Sequence, residues 1–281
     1  MKRRFGSDLT YSQLIVFFIL LIGGTIVVIV PFLWMILTSF KTFPESVAVN
    51  PIVIFPANIQ FEAYRAVMGF FNFGRLYINT ISVIIIRILF SVITASMAAY
   101  ALARLRFTGK TLFFTLILIQ LMVPWQIFVI PQYLMVVRLR LLDTIFALAF
   151  PGLITTFGTF LLRQFFMSLP ASVEESAKLD GANPLQVFAR IMLPMVNSGL
   201  VAVSIFTALW AFRDLLWPII VNTNIDKLPI SAALARLQGQ SITYFHETMA
   251  AATLASIPMI IIYAFFQKRF IQGMATSGLK Y

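Results

Sequence analysis

Residues 174–194 read EESAKLDGANPLQVFARIMLP, a charged and punctuated stretch in a chain otherwise dominated by apolar runs. Ser172, just upstream, and Glu175 have the spacing of a capping box. Glu174 adds negative charge near the same helix start, so a short helix is expected to begin near Ser172. Gly181, after Leu179 and Asp180, has the position of a glycine that ends a helix. Asn183-Pro184 then supplies an N-cap followed by a proline at the first helical position. A second helix is therefore expected from Pro184 to Leu193 and Pro194. Its Leu185, Phe188, Ala189 and Met192 fall at i, i+3, i+4 and i+7, an apolar stripe that needs a groove to cover it. That groove lies either on the protein's own helices or on a partner chain.

The surroundings of this stretch are those of a membrane protein. Of 281 residues 60% are hydrophobic and 11% charged, and the mean hydropathy is +0.93, far above a soluble chain of this size. A crossing takes ~20 apolar residues as helix. Six segments satisfy that, near 14–40, 78–103, 111–135, 144–167, 197–221 and 248–267. Pro124 and Pro131 interrupt the third, where a kinked or shortened helix is expected. The fold class that follows is all-α, a polytopic membrane protein of six transmembrane helices. It forms a single transmembrane domain over 1–281 with its core at about 75–270 and a polar loop at 168–195. The first run is too long for the apolar part of a signal peptide and is read as a retained helix.

Orientation follows from Lys and Arg. With the amino terminus inside, 12 of them, among them Lys2, Arg3, Arg4, Arg104, Arg106 and Lys280, fall on the cytoplasmic side and 7 on the other. That excess puts both termini, and the 168–195 loop, in the cytoplasm. The formal net charge of +11 is scattered beside apolar runs, so it reads as membrane topology and not as a nucleic-acid surface. FEAYRAVMGFF at 61–71 and PQYLMVVRLRLLD at 131–143 have the helical spacing of segments that lie on the membrane or on a partner.

No cysteine is present, which excludes disulfides and thiolate chemistry. There is no glycine-rich phosphate loop, and no nucleophile, base and orienter set. The chain is therefore not expected to be an enzyme, to carry a cofactor or to hold a metal. His246 beside Glu247 lacks further ligands and reads as a cap or a surface residue. Trp34, Trp125, Trp210 and Trp217 have the character of interfacial anchors, and Trp217-Pro218 is also a candidate to line a substrate path.

Two arginines, Arg87 and Arg213, fall inside apolar segments, where charge is expensive and faces a partner or a cavity. Counted from the outer ends of their segments, both lie ~13 Å deep at 1.5 Å per residue. One reading pairs either of them with Asp214, or with an acid or carbonyl of a second chain; Arg213 and Asp214, adjacent on a helix, diverge by ~100° and make poor direct partners. The other reading turns both cations to a common cavity that attracts an anionic solute. Arg87, Arg213, Asp214 and Trp217 are thus the substrate-pathway candidates.

The opening stretch also carries a family resemblance. Glu175-Ser176-Ala177, three residues, Gly181, nine residues and Ile191-Met192-Leu193-Pro194 resemble the signature loop of the membrane permeases of bacterial ABC importers, with Ser176 in place of the first alanine. FEAYRAV at 61–67, INTISV at 78–83, AAYALARLRF at 98–107, VPWQIFVIPQY at 123–133, LLRQFFMSLP at 161–170, LLWPIIV at 215–221 and the tail QKRFIQGMATSGLKY extend it over nearly the whole chain. They are most similar to the carbohydrate branch and its maltose-importer G-type subunits. Trp210-Ala211-Phe212-Arg213-Asp214 departs from that pattern, which more often has asparagine at the place of Arg213.

The resemblance implies the type I ABC importer permease fold, with the second helix of the loop as a coupling helix docked in a groove of a cytoplasmic ATPase. The coupling residues it implies are Glu174, Glu175, Ala177, Asp180, Gly181, Leu185, Phe188, Arg190, Leu193 and Pro194. It also implies a second permease, an F-type chain in a heterodimer, and two ATPase subunits in which ATP and magnesium act. An extracytoplasmic solute-binding protein delivers a sugar or oligosaccharide, the anionic reading of the arginines making it a uronate or sugar phosphate. The tail is implied to reach between the ATPase subunits. An ion-coupled secondary transporter, an ABC permease for a non-sugar solute and a non-transporting scaffold are the competing classes.

Overall fold

The computed structural model describes residues 10–238 and 244–278, and among these the chain is helical, with a lone bridge between Val49 and Ile52 as its β-type pairing. Lys2, Arg3, Arg4 and Lys280, which entered the topology reading, lie outside the described residues. The contacts divide the chain into two compact units, residues 1–70 with 237–257 and residues 71–236 with 258–281.

In the first unit, α1 (Tyr11–Ser39) is apolar on every face, and its buried residues come only at its end, Thr38 and Ser39. A helix without a polar side suits lipid. Its end is tied down: the Ser39 hydroxyl meets the Ile36 carbonyl and the Tyr64 hydroxyl, the latter at 2.7 Å. Lys41 donates to the Val53 carbonyl at 2.6 Å while lying 4.1 Å over the Trp34 ring. A short α2 (Phe43–Val47) begins with a Thr42–Glu45 capping box. FEAYRAVMGFF forms α3 (Glu62–Phe70), which buries Ala63 and Val67, four residues apart. His246 is not the cap or surface residue expected. It is buried among the rings of Phe43 and Tyr244, whose centroids lie 6.1 and 5.9 Å away.

The second unit is organised on α4 (Phe73–Arg104). Thr80, Ile84, Arg87, Ser91, Ala95, Ala99 and Leu102 are buried at helical spacing, one stripe along 32 residues. Against it pack α8 (Thr156–Ser168) and α11 (Asn197–Arg213). Small residues permit the approach: a Cβ on Gly158 would lie 3.1 Å from Val203 and 3.3 Å from Ala95, and one on Gly199 would strike the Phe165 ring at 2.8 Å.

Three helices, Tyr11–Ser39, Phe73–Arg104 and Phe245–Ala264, are long and apolar enough to cross a membrane, and up to six crossings result if each bent pair is one span. The expected kink in the third segment is a turn of 103° between α5 (Lys110–Met122) and Trp125–Arg138, whose regular part is α6 (Val129–Arg138). The fourth bends by 49° between Ile145–Gly152, which contains α7 (Ile145–Ala149), and α8. The fifth differs from expectation. The 197–221 segment is not one helix; it stops at Arg213, Asp214 is extended, and α12 (Leu216–Val221) starts anew. The continuous partner of α11 lies upstream, α10 (Pro184–Met195), across a 76° bend. The last helices are α13 (Ile230–Gln238) and α14 (Phe245–Gly278).

PQYLMVVRLRLLD does not simply lie on a surface either. Val136 in α6 is fully buried, in a cluster with Val83, Ile84, Ala147, Leu148, Ala211, Trp217 and Val221. After α6 the backbone turns left-handed at Arg140 and Asp143, with φ of 55° and 57°. Asp143 closes the turn on the 222–224 loop, accepting from the Thr223 N–H at 2.8 Å, the Asn224 N–H at 3.3 Å and the Thr223 hydroxyl.

The backbone N–H of Thr223 does most to hold the Asp143 carboxyl below its ordinary range. A depressed folded-state pKa stabilises above the unfolded value, and that stabilisation is lost as pH falls through the folded value. Asp143→Asn is therefore expected to lower the melting temperature of the detergent-solubilised protein at pH 7, with the gap to wild type closing on acidification. A gap independent of pH would count against this reading.

Candidate functional site

The breaks in the helices set the chemistry of the interior. A carbonyl freed by a helix end has no water to turn to inside a bilayer and must be given a donor by the protein. At the end of α7 two consecutive carbonyls take side-chain donors, that of Ala147 in addition to the Phe150 N–H. The Trp217 indole N–H donates to that of Ala147 at 2.7 Å, and an Arg87 guanidinium N–H to that of Leu148 at 2.5 Å. Just beyond, the Thr94 hydroxyl donates to the Leu153 carbonyl at 3.1 Å.

The same guanidinium nitrogen of Arg87 lies 2.7 Å from the Asp214 carboxylate. Arg87 is 5% exposed, and its charge is thus matched by the carboxylate and by the negative end of α7. Gly152 makes the passage: a Cβ there would stand 2.5 Å from the arginine's Cδ. Asp214 is free to turn to Arg87 because α11 has ended one residue earlier and its backbone is extended.

The structure thus brings together Arg87, Asp214 and Trp217 of the four pathway candidates. For Arg87 this is the pairing with Asp214 that one of the two readings expected. Arg87 is held within the chain by a carboxylate and a carbonyl, and Trp217 is fully buried with its indole committed, so it neither anchors at an interface nor lines a path. Arg213 stands apart. As the last residue of α11 it has the favourable position of a cation at a helix C-terminus. Its side chain is exposed and makes no ion pair or hydrogen bond among the described residues.

The 168–195 loop begins differently from expectation. α9 (Ala171–Leu179) starts after Pro170 and has no side-chain cap, so Ser172 is inside the first turn and forms no capping box with Glu175. The expected stop at Gly181 is present: φ is +82°, the Gly181 N–H reaches the Lys178 carbonyl and the Ala182 N–H that of Ala177, a Schellman closure. Asn183 caps α10, and Gln186 reciprocates, each bond 2.9 Å long.

Beyond that cap the second helix departs from regular spacing. Val187–Met192 is a π-turn, and the helix runs on through Pro194 to Met195. Proline has no N–H for the carbonyl four residues back, and the wider turn before it accommodates that loss. The phase of the apolar stripe shifts accordingly. Val187 and Met192, five apart, are fully buried, and Phe188 turns inward to Tyr100 and Phe166, with ring centroids at 5.1 and 6.5 Å. Leu185 and Ala189 of the expected stripe stay outside. Leu185 is 70% exposed, and Leu179 at the end of α9 is 89% exposed. Glu175, Asp180, Arg190 and Pro194 are exposed beside them, Leu193 is half-buried, and Glu174 and Ala177 face inward.

Several interior residues escaped the sequence reading. Asn79 donates to the carbonyls of Asp226 and Leu228, and Thr80 accepts from the Ile230 N–H. Arg104 donates to the carbonyls of Phe166 and Leu169 at the end of α8, and the Tyr100 hydroxyl to Glu174. The signal was present, since polar residues recurring along one stripe of an apolar helix mark a protein-facing side.

Residues 88–276 match the family described as binding-protein-dependent transport system inner membrane component. The chain belongs to this family. Its members are transport components and not catalysts, and a multi-pass position in the inner membrane follows for this one. The chain is 34% identical to the diacetylchitobiose uptake system permease protein NgcG of Streptomyces coelicolor, over 92% of this chain and 86% of the relative. It is 29% identical to the arabinooligosaccharides transport system permease protein AraQ of Halalkalibacterium halodurans (90% and 92%) and 33% identical to the sn-glycerol-3-phosphate transport system permease protein UgpE of Shigella flexneri (73% and 74%). Among solved structures, a chain of a bacterial ABC transporter involved in the import of the acidic polysaccharide alginate superposes with a TM-score of 0.77 at 25% identity, covering 95% of this chain and 99% of that one.

For this inner-membrane component the buried pair makes a sharp expectation. Arg87→Met or Asp214→Leu alone leaves one charge buried without its partner and is expected to cost about 3–5 kcal/mol of stability, read as lost monodisperse protein on heating. The double variant should recover a large part, because no orphan charge remains. Single and double variants of equal stability would show that the pair is not the interior's electrostatic lock.

Proposed function

We propose that this chain is one permease subunit of an ATP-driven importer for a sugar or oligosaccharide, and that the 168–195 loop is its docking handle for an ATPase. The observation that carries the proposal is the two-sided loop: one side buried on α4 and α8, the other presenting Leu179 and Leu185 to solvent, with Glu175, Asp180 and Arg190 exposed within five residues of one or the other in sequence. Exposed leucines flanked by charge have the anatomy of an interface core. Residues 1–281 act as one permease, each bent helix pair counts as one of six spans, and both termini share the cytoplasmic side with the loop, as the Lys and Arg excess supports.

ATP and magnesium act in two separate ATPase subunits, and this chain itself takes no cofactor or metal. A second permease, an F-type chain, completes the pore, and an extracytoplasmic binding protein delivers the solute. Docking is tested by co-purification: Leu185→Asp is expected to lose the ATPase at unchanged permease abundance. Retention of the ATPase by Leu185→Asp and Leu179→Asp together would refute the docking face. Uptake that survives loss of ATP while an ion gradient is held would instead favour secondary transport.

The names of the relatives support a saccharide or polyol phosphate as solute, and two of the named solutes, alginate and glycerol 3-phosphate, are anions. Of the two arginines inside apolar segments, Arg213 is the one with no partner among the described residues, at the break where α11 ends. Broken helices at membrane depth face protein or a water-filled path. Arg213→Asn is expected to reduce binding-protein-stimulated ATP hydrolysis about tenfold for uronic or phosphorylated sugars and to spare neutral ones. A response of the unmutated complex to neutral sugars alone would overturn the anionic reading.

A further inference from the structure

Tyr100 and Glu174 are 5% and 7% exposed, and they meet at 3.2 Å across 74 residues of chain, the hydroxyl donating to the carboxylate. A loop whose other charges face water has turned this carboxylate inward. Burial of a carboxylate is costly without donors; Glu174 has two, the Tyr100 hydroxyl and Lys178 Nζ, also at 3.2 Å. The tyrosine ring is boxed by Phe166 of α8 at 5.6 Å and Phe188 of α10 at 5.1 Å. One turn on, Arg104 takes the Phe166 and Leu169 carbonyls, where the chain leaves α8 for the loop. Helix α4 thereby grips the loop where it begins, at its first helix and at its second. On the same helix, ~20 Å away at 1.5 Å per residue, Arg87 grips Asp214 and the end of α7.

We infer that Tyr100 is a positioning residue which, through Glu174, clamps the coupling loop to α4. A load on the loop's exposed leucines then moves α4, and with it the Arg87–Asp214 pair, as one rigid body. The clamp rests on the docking proposed above. Without the hydroxyl the phenyl ring still fills its box, but Glu174 is released from α4. The loop can then tilt about Pro170 and Val196 while α4 stays behind. Switching between discrete packings requires stiff transmitting elements, and a slack joint absorbs the stroke.

The test uses the full complex in liposomes and reads solute imported per ATP hydrolysed. Tyr100→Phe is expected to keep its ATPase through purification and to hydrolyse ATP, yet to import about tenfold less per ATP. Glu174→Leu, which has no acceptor for the hydroxyl, should lower the same ratio, and the double variant should be no worse than the poorer single, because both remove one bond. An unchanged ratio in Tyr100→Phe overturns the clamp, as do single losses that multiply in the double variant. Loss of the ATPase from Tyr100→Phe also overturns it, since the phenol would then serve the docking face. An unmutated complex that never binds an ATPase sinks the docking reading, and the clamp with it, which keeps the two failures distinct.

Discussion

The interior of this protein is governed by the need to give every carbonyl released by a broken helix a donor from the protein itself. The sharpest instance is the end of α7, where the free carbonyl of Leu148 receives a guanidinium N–H from Arg87. A neutral donor would have satisfied the carbonyl. An arginine brings a charge as well, and that charge requires Asp214. Asp214 can comply because α11 stops at Arg213 and leaves the next residue extended. One unpaired carbonyl therefore fixes a cation on α4, an anion after α11, and a glycine at 152 to let the arginine pass.

The same logic repeats along α4 and explains why that helix is the axis of its unit. Asn79 and Thr80 hold the 226–230 loop, Thr94 holds the Leu153 carbonyl, and Arg104 holds the end of α8. Each is a tertiary contact whose partner is backbone, so the ties depend on the path of the chain more than on neighbouring side chains. Van der Waals packing of Gly158 and Gly199 brings the helices close enough for these bonds to form. The consequence is a helix whose position the broken elements around it determine jointly.

Much of the architecture was legible in the sequence because it depends on local composition. Apolar runs long enough to cross pointed to the three helices that can span and to segments that became bent pairs, Pro124 gave the break that became a 103° turn, and Gly181 and Asn183-Pro184 gave both turns of the loop. The spacing from Glu175 to Pro194 pointed to the family that residues 88–276 match. What could not be read depends on partners distant in sequence or on a departure from regular spacing. Counting at 3.6 residues per turn placed Phe188 on one stripe with Leu185, but the π-turn before Pro194 separates them, Phe188 inward and Leu185 outward. Glu174 and Glu175 are chemically equivalent in sequence; only the approach of Tyr100 distinguishes them. Trp217 carries the composition of an anchor, and only the Ala147 carbonyl that its indole N–H meets shows why it is buried.

The break after α11 also divides three adjacent charges by role. Arg87 and Asp214 neutralise one another within the fold, while Arg213 remains exposed with no described partner. Had α11 continued, Asp214 would have stayed ~100° around the helix from Arg213, and its carboxylate could not have turned independently to α4. Ending the helix between the two residues assigns the carboxylate to structure and leaves the cation available. A cation at a helix C-terminus is already favoured by the helix dipole, so Arg213 can be maintained there without an internal counter-ion. Under the function proposed, the break thus serves two ends: it turns the Asp214 carboxylate to the bond that locks α4, and it leaves Arg213 exposed at the helix end, where an anionic solute can meet it.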